Sequence, residues 1–317
     1  MRILTRIGSR AVYLVLVLLG ASFLVYLLLE LLPGDPAEIL VSTTGNVTEG
    51  AVEEIRTELG LDKPLLVRYV EWIGGVVTGD FGTSFRTGQP VLSEITARLP
   101  VTLQLVLVAE LISLAIAVPL AVAAARRRDT AFDRGVNAVM FGLQSTPNFV
   151  VALVLIVVLS VNLKLLPAIG FVPLEEDLWG NFRSILIPSL ALSAALVPLY
   201  TRVLRTEMIR TLQEDFILVA RAGGLRPRTV LFRYALRPSL PTLVTVVGIN
   251  IGTLIGGTLI VELISGLPGI GTLLYSGINN RDYILVQGIV LFIAAAYVIL
   301  NFFVDLLYTA IDPRVRA

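Results

Sequence analysis

Six long apolar runs constrain this chain more than anything else in it. They are Ala11–Leu29, Val101–Ala125, Val136–Leu159, Ile185–Leu199, Thr242–Ile264 and Val286–Ile311. A helix needs about 20 apolar residues to cross roughly 30 Å of hydrocarbon. Inside lipid the backbone must satisfy its own hydrogen bonds, so only helices or closed barrels can span. The runs are continuous and do not alternate as barrel strands do. The sequence therefore predicts an all-α integral membrane protein with six transmembrane helices. The fourth run is the shortest and holds Pro188 and Pro198, so it must borrow residues at both ends. The first run follows Arg2, Arg6 and Arg10 as a signal peptide would, but it is too long for one and has no small-residue cleavage site.

Composition agrees. Of 317 residues, 56% are hydrophobic and only 15% charged, against about 25% charged in soluble domains. The mean hydropathy is +0.84. Cysteine and histidine are absent. That removes disulfides, thiolate and imidazole metal ligands, and Ser-His-Asp or Cys-His catalysis.

The net charge of +1 hides an imbalance along the chain. With a cytoplasmic N-terminus, the inner segments carry 17 Lys and Arg and the outer segments carry 8. The positive-inside rule favours this orientation, with both termini cytoplasmic. The expected organisation has three parts. Residues 1–32 form the N-terminus and first helix. Residues 33–100 form a small extracytoplasmic helical subdomain, and 101–317 form a core with helices two to six and a cytoplasmic loop at about 205–240.

That loop holds Ile209, Leu212, Phe216 and Val219 at three- and four-residue steps, which predicts one apolar helix face. Ala220, Ala222, Gly223 and Gly224 follow as small residues at a helix end. A second short helix can start at Pro227 and run to Arg237. From pattern alone, such a knob is either a docking surface or a basic juxtamembrane loop on anionic lipid.

The segment Asp215-Phe216-Ile217-Leu218-Val219-Ala220-Arg221-Ala222-Gly223-Gly224-Leu225 resembles the cytoplasmic EAA loop of ABC-importer permeases, in its dipeptide and oligopeptide form. Six further motifs are similar to that family and stand in its order: 32–36 (LPGDP), 79–84 (GDFGTS), 98–103 (RLPVTL), 266–271 (GLPGIG), 280–283 (NRDY) and 312–314 (DPR). The long first outer loop suits the B-type subunit. The sequence departs from the family's pattern where Leu218 replaces the naming glutamate, Tyr234 replaces a histidine, and Pro241 stands about one place early.

The resemblance implies a type I ABC-importer permease fold in a bacterial cytoplasmic membrane. It implies a non-catalytic subunit forming half of a path for di- or oligopeptides. The implied partners are a second permease, two ATPase subunits that bind ATP and Mg, and an extracytoplasmic substrate-binding protein. On this reading Asp215, Phe216, Ala220, Arg221, Ala222, Gly223, Gly224 and Tyr234 couple to the ATPases. Relatives that carry nickel or glutathione are alternatives to peptide. The chain lacks a Gly-x-x-x-x-Gly-Lys-Ser/Thr loop for nucleotide phosphates and holds no cofactor of its own on this reading.

Candidate path or gate residues are Glu110, Asn250, Gly252, Gly256, Glu262, Pro268 and Asp305. Charge within a membrane is costly and points to function by default. Glu262 and Glu30 stand near the outer span ends, within reach of water. Glu110 and Asp305 stand deeper, where they can serve a peptide amine or pair with a neighbouring helix. Gly248, Gly252 and Gly256 form a ridge that can pack a helix or line a smooth wall, and Asn250 can offer one polar contact. Pro119, Pro147, Pro188 and Pro198 mark expected bends. Two other classes of membrane protein make different demands on the chain. An ion-coupled secondary transporter would use Glu110 or Asp305 and show internal repeats, which are not evident. An intramembrane protease lacks its residue pairs, since Lys63 and Lys164 lie outside the spans and Asp305 is the one aspartate within them.

Overall fold

The structure, a computed structural model, describes residues 15–27, 37, 49–58 and 62–311, the last stretch as backbone only from residue 305. The 32–36 and 312–314 motifs and Glu30 lie outside the described residues, as does the side chain of Asp305. Helices dominate, and the described residues contain one isolated β-bridge, Thr83 to Pro90, and no strand.

Among the described residues twelve helices follow in order: α1 (Val15–Leu27), α2 (Glu49–Glu58), α3 (Leu65–Val77), α4 (Val91–Arg126), α5 (Ala131–Gln144), α6 (Asn148–Asn162), α7 (Leu178–Thr211), α8 (Asp215–Ala222), α9 (Pro227–Gly257), α10 (Leu259–Ser265), α11 (Ile270–Asn279) and α12 (Tyr283–Ile311). Four of them, α4, α7, α9 and α12, are each long and apolar enough to cross a membrane. The pairs α5–α6 and α10–α11 pass that test only when joined, which gives up to six candidates.

Three expected boundaries change. The run Val136–Leu159 is not one helix: it breaks at Ser145–Pro147, and its halves meet at 97°. Pro147 lacks an N–H and its ring crowds the carbonyl four residues back, so α5 stops and α6 restarts. Pro119, Pro188 and Pro198, by contrast, stay inside continuous helices. The run Thr242–Ile264 breaks at Thr258, and its helix starts earlier, at Pro227. The expected short helix 227–237 is therefore the first part of α9. A π-turn at Val230–Leu236 precedes Pro238 and Pro241. Such a widened turn takes up register where donors are missing.

The chain divides into two units. One comprises residues 1–100 and 269–298. Its core joins Val91 and Ile95 of α4 to Ile270, Leu273, Leu285 and Ile289. Gly288 lets α12 approach α4 closely, because a Cβ there would sit 2.6 Å from a Val91 methyl. The other unit comprises 101–268 and 299–317. Its hub is α7, which packs against α5, α6, α9 and α10. Leu192, Tyr200, Leu204 and Met208 of α7 are fully buried with Leu105, Ala109 and Ala117 of α4.

Candidate functional site

The knob after α7 is built by two stops. Helix α7 ends at Thr211, and α8 begins at Asp215. The helix does not continue through 212–214, so the apolar face expected from Ile209 to Val219 does not form. Instead Ile217 and Ala220 turn inward, and α8 packs on the Val230–Leu236 turn. Phe216 is 45% exposed and Val219 71%. Leu218 is exposed as well.

Helix α8 ends in a Schellman motif. The Leu225 N–H donates to the Ala220 carbonyl at 3.2 Å, and the Gly224 N–H to the Arg221 carbonyl at 3.0 Å. Gly224 takes φ of +77°, where a side chain is strained. The small residues at 222–224 thus have a backbone reason. Asp215, Arg221, Ala222 and Gly223 are exposed, and Tyr234 is half-buried. The knob surface is apolar at Phe216, Leu218, Val219 and Phe232, rimmed by Arg221, Arg226, Arg228 and Arg233. Exposed apolar residues beside arginines are compatible with either a docking surface or a loop resting on anionic lipid.

Two buried carboxyl groups, Glu110 and Glu262, are tied to neighbouring helices. Glu110 is 4% exposed. The Tyr200 hydroxyl lies 2.9 Å from both its carboxylate oxygens, joining α4 to α7. Glu262 corrects the expectation of water contact, being fully buried. Thr102 donates to its Oε1 at 2.7 Å and Thr258 at 2.9 Å. Its helix α10 is too short and too enclosed to carry the carboxylate to water. Asn250 donates to its own helix at the Val246 carbonyl, 2.7 Å away. Gly248 abuts Val304 of α12, whose methyl would lie 2.2 Å from an added Cβ. Gly252 is buried and Gly256 exposed.

Pro268 follows a second Schellman stop. The Leu267 N–H donates to the Glu262 carbonyl at 2.9 Å, and Gly266 takes φ of +65°. A proline just past such a stop prevents the helix from resuming.

Sequence reasoning missed Asp133 and Arg205. Arg205 donates through Nε and Nη2 to both carboxylate oxygens of Asp133, each at 2.6 Å, linking α5 to α7. It also missed that two of the motifs meet. Ser84 donates to Asp282 at 2.6 Å, and Arg86 pairs with Asn280. They line a pocket of about 130 Å³ together with Arg98, Glu94 and Leu273. Asp282 also caps α12 by accepting from the Leu285 N–H at 3.2 Å. A local signal existed for Asp282, an aspartate directly before an apolar run. None existed for its partner 198 positions away.

These features define a polytopic helical membrane protein with buried polar ties between its helices and an exposed knob after α7. Residues 117–317 match the family described as "Binding-protein-dependent transport system inner membrane component", and residues 1–106 match its N-terminal counterpart. The chain belongs to this family.

A protein of Brucella abortus (strain 2308), named for a peptide transport system permease, is 40% identical over 300 residues, covering 95% of each chain. The oligopeptide transport system permease protein AppB of Bacillus subtilis (strain 168) is 35% identical over 303 residues, with 95% of each covered. Among solved structures, a chain of the MetNI methionine ABC transporter in inward-facing conformations superposes with a TM-score of 0.57. It is 20% identical and covers 69% of this chain and 96% of that one, which shows a shared fold.

Proposed function

We propose that the chain is a membrane subunit of an ATP-driven peptide importer and forms half of its path. The observation that carries this reading is the 40% identity over 95% of both chains to a permease named for peptide transport. That name and AppB's favour di- or oligopeptides over nickel or glutathione. The 17-to-8 distribution of Lys and Arg supports cytoplasmic termini and a cytoplasmic knob.

On this reading the knob seats in an ATPase subunit. Phe216, Leu218 and Val219 fill an apolar groove, and the surrounding arginines meet acidic groups at its rim. Asp215, Arg221 and Tyr234 flank the contact, while Ala220, Ala222, Gly223 and Gly224 keep the bend narrow. ATP and Mg reside in the partner subunits. A second permease completes the path, and an extracytoplasmic binding protein delivers the peptide. ATP-driven closure of the ATPases pushes on α8, whose packing on α9 passes the movement to the spans.

Of the path candidates, Gly256 has an open surface on α9, on one face with exposed Ile249 and Thr253. Gly252, Glu110 and Glu262 hold the helices behind that face. Pro268 ends the adjoining segment, and Asp305 stands on α12.

The test is Val219→Glu in the assembled transporter. A buried Val or Leu contributes about 1.5–3 kcal/mol, so a charge there is expected to weaken ATPase association by more than about tenfold. ATP-driven uptake of labelled dipeptide into proteoliposomes falls with it, while membrane insertion of the chain is unchanged. Unchanged association and uptake would overturn the coupling assignment.

A further inference from the structure

Helix α3 has two apolar sides, and α1 covers only one. Tyr69 donates to the Leu19 carbonyl of α1 at 3.1 Å and lies 2.8 Å from the Ser22 hydroxyl. Its ring sits against Phe23 and Tyr26, with centroids 5.1 and 5.7 Å away, and Trp72 lies tilted against Tyr26 with centroids 5.7 Å apart. These contacts hold α3 to α1 over Leu19–Tyr26. Next to this packed side, Leu66, Val70, Gly74 and Val77 recur at steps of four, four and three residues. That spacing places them on a single face of the helix. The three side chains are 64%, 63% and 83% exposed. The polar residues sit elsewhere. Arg68 is on the opposite side, and Glu71 flanks the stripe, bound to Lys63 at 2.8 Å.

We propose that α3 lies in the membrane surface, with the Leu66–Val70–Val77 stripe in lipid. The occupant follows from continuity. The first span exposes Leu16, Leu19 and Leu24, which face acyl chains in a membrane-embedded chain. The α3 stripe adds a second exposed apolar face, on a helix tied to the same span. An apolar stripe beside a charged flank is the pattern of a helix resting in the interface, its apolar side about 5–10 Å into the headgroup and acyl boundary. The tyrosine and tryptophan that hold it belong to the residue types enriched at that depth. The segment between the first two spans is thereby anchored to the bilayer rather than standing free in water. With the N-terminus cytoplasmic, that surface is the outer leaflet.

The chain has no cysteine, so single-cysteine variants of the full chain report one position each. Spin labels go on Val70→Cys and Val77→Cys, in nanodiscs of phosphatidylethanolamine and phosphatidylglycerol. Leu24→Cys serves as the lipid reference and Glu71→Cys as the water reference. Helix content by circular dichroism checks the fold of each variant. The expected result is that both valine positions collide with oxygen in preference to a water-soluble nickel chelate, as Leu24→Cys does. Preference for the chelate, as at Glu71→Cys, would overturn the proposal by placing the stripe in water. Protection from both reagents would overturn it by showing that a protein surface covers the stripe.

Discussion

Arg205 grips Asp133 with two parallel hydrogen bonds of 2.6 Å each, across the contact between α7 and α5. The carboxylate side chain is 3% exposed and the guanidinium side chain 19%. Asp133 also accepts from the Asp129 N–H at 3.0 Å and from the Asn137 amide at 3.2 Å. The pair sits six residues before α7 ends and the knob begins, so it fixes the helix that carries the knob.

Removing one partner leaves the other charge poorly compensated. Asp133→Ala is expected to cost about 3 kcal/mol, the low end for a broken buried pair, because Arg205 keeps some contact with solvent. Arg205→Lys is expected to lose much of the same stability, since an ammonium cannot reproduce the two-pronged geometry. Thermal unfolding of the detergent-purified chain, followed by circular dichroism, measures both.

Glu110 and Tyr200 make a second test, with a different sign for the double change. Tyr200→Phe strips a buried carboxyl of its hydroxyl donor and is expected to cost about 1–3 kcal/mol. Glu110→Met together with Tyr200→Phe replaces both partners with apolar groups of similar size. That double variant is expected to be more stable than Tyr200→Phe alone. A melting series of the four proteins reads the coupling directly.

Gly248 is set against Val304 with no room for a side chain. Gly248→Leu is expected to destabilise by about 1–3 kcal/mol through overpacking. Val304→Ala, introduced with it, is expected to restore part of that loss. Failure of Val304→Ala to recover any stability in the same melting assay would show that the cost arises elsewhere.

The features legible in the sequence were local. Long apolar runs announced the long helices, and the small residues up to Gly223 and Gly224 announced the end of α8. Those signals depend on side-chain transfer to lipid and on backbone strain, each decided within a few residues. Periodicity failed at Ile209–Val219 because the helix stops at Thr211, so residues that share a calculated face do not share a helix. Run length misled at Val136–Leu159, where the expected bend at Pro147 is a full break that leaves two helices at 97°.

The sequence by itself determined that this chain lives in a membrane, is helical, and carries a bent knob with a glycine at its turn. Only the tertiary structure decided which polar residues answer one another: Glu110 with Tyr200, Glu262 with Thr102, Ser84 with Asp282, Asp133 with Arg205. Each partner is between 72 and 198 positions distant. Burial takes these groups away from solvent, so each had to find a donor or acceptor elsewhere in the chain. Which one it found depends on how the helices pack, and no local pattern encodes that.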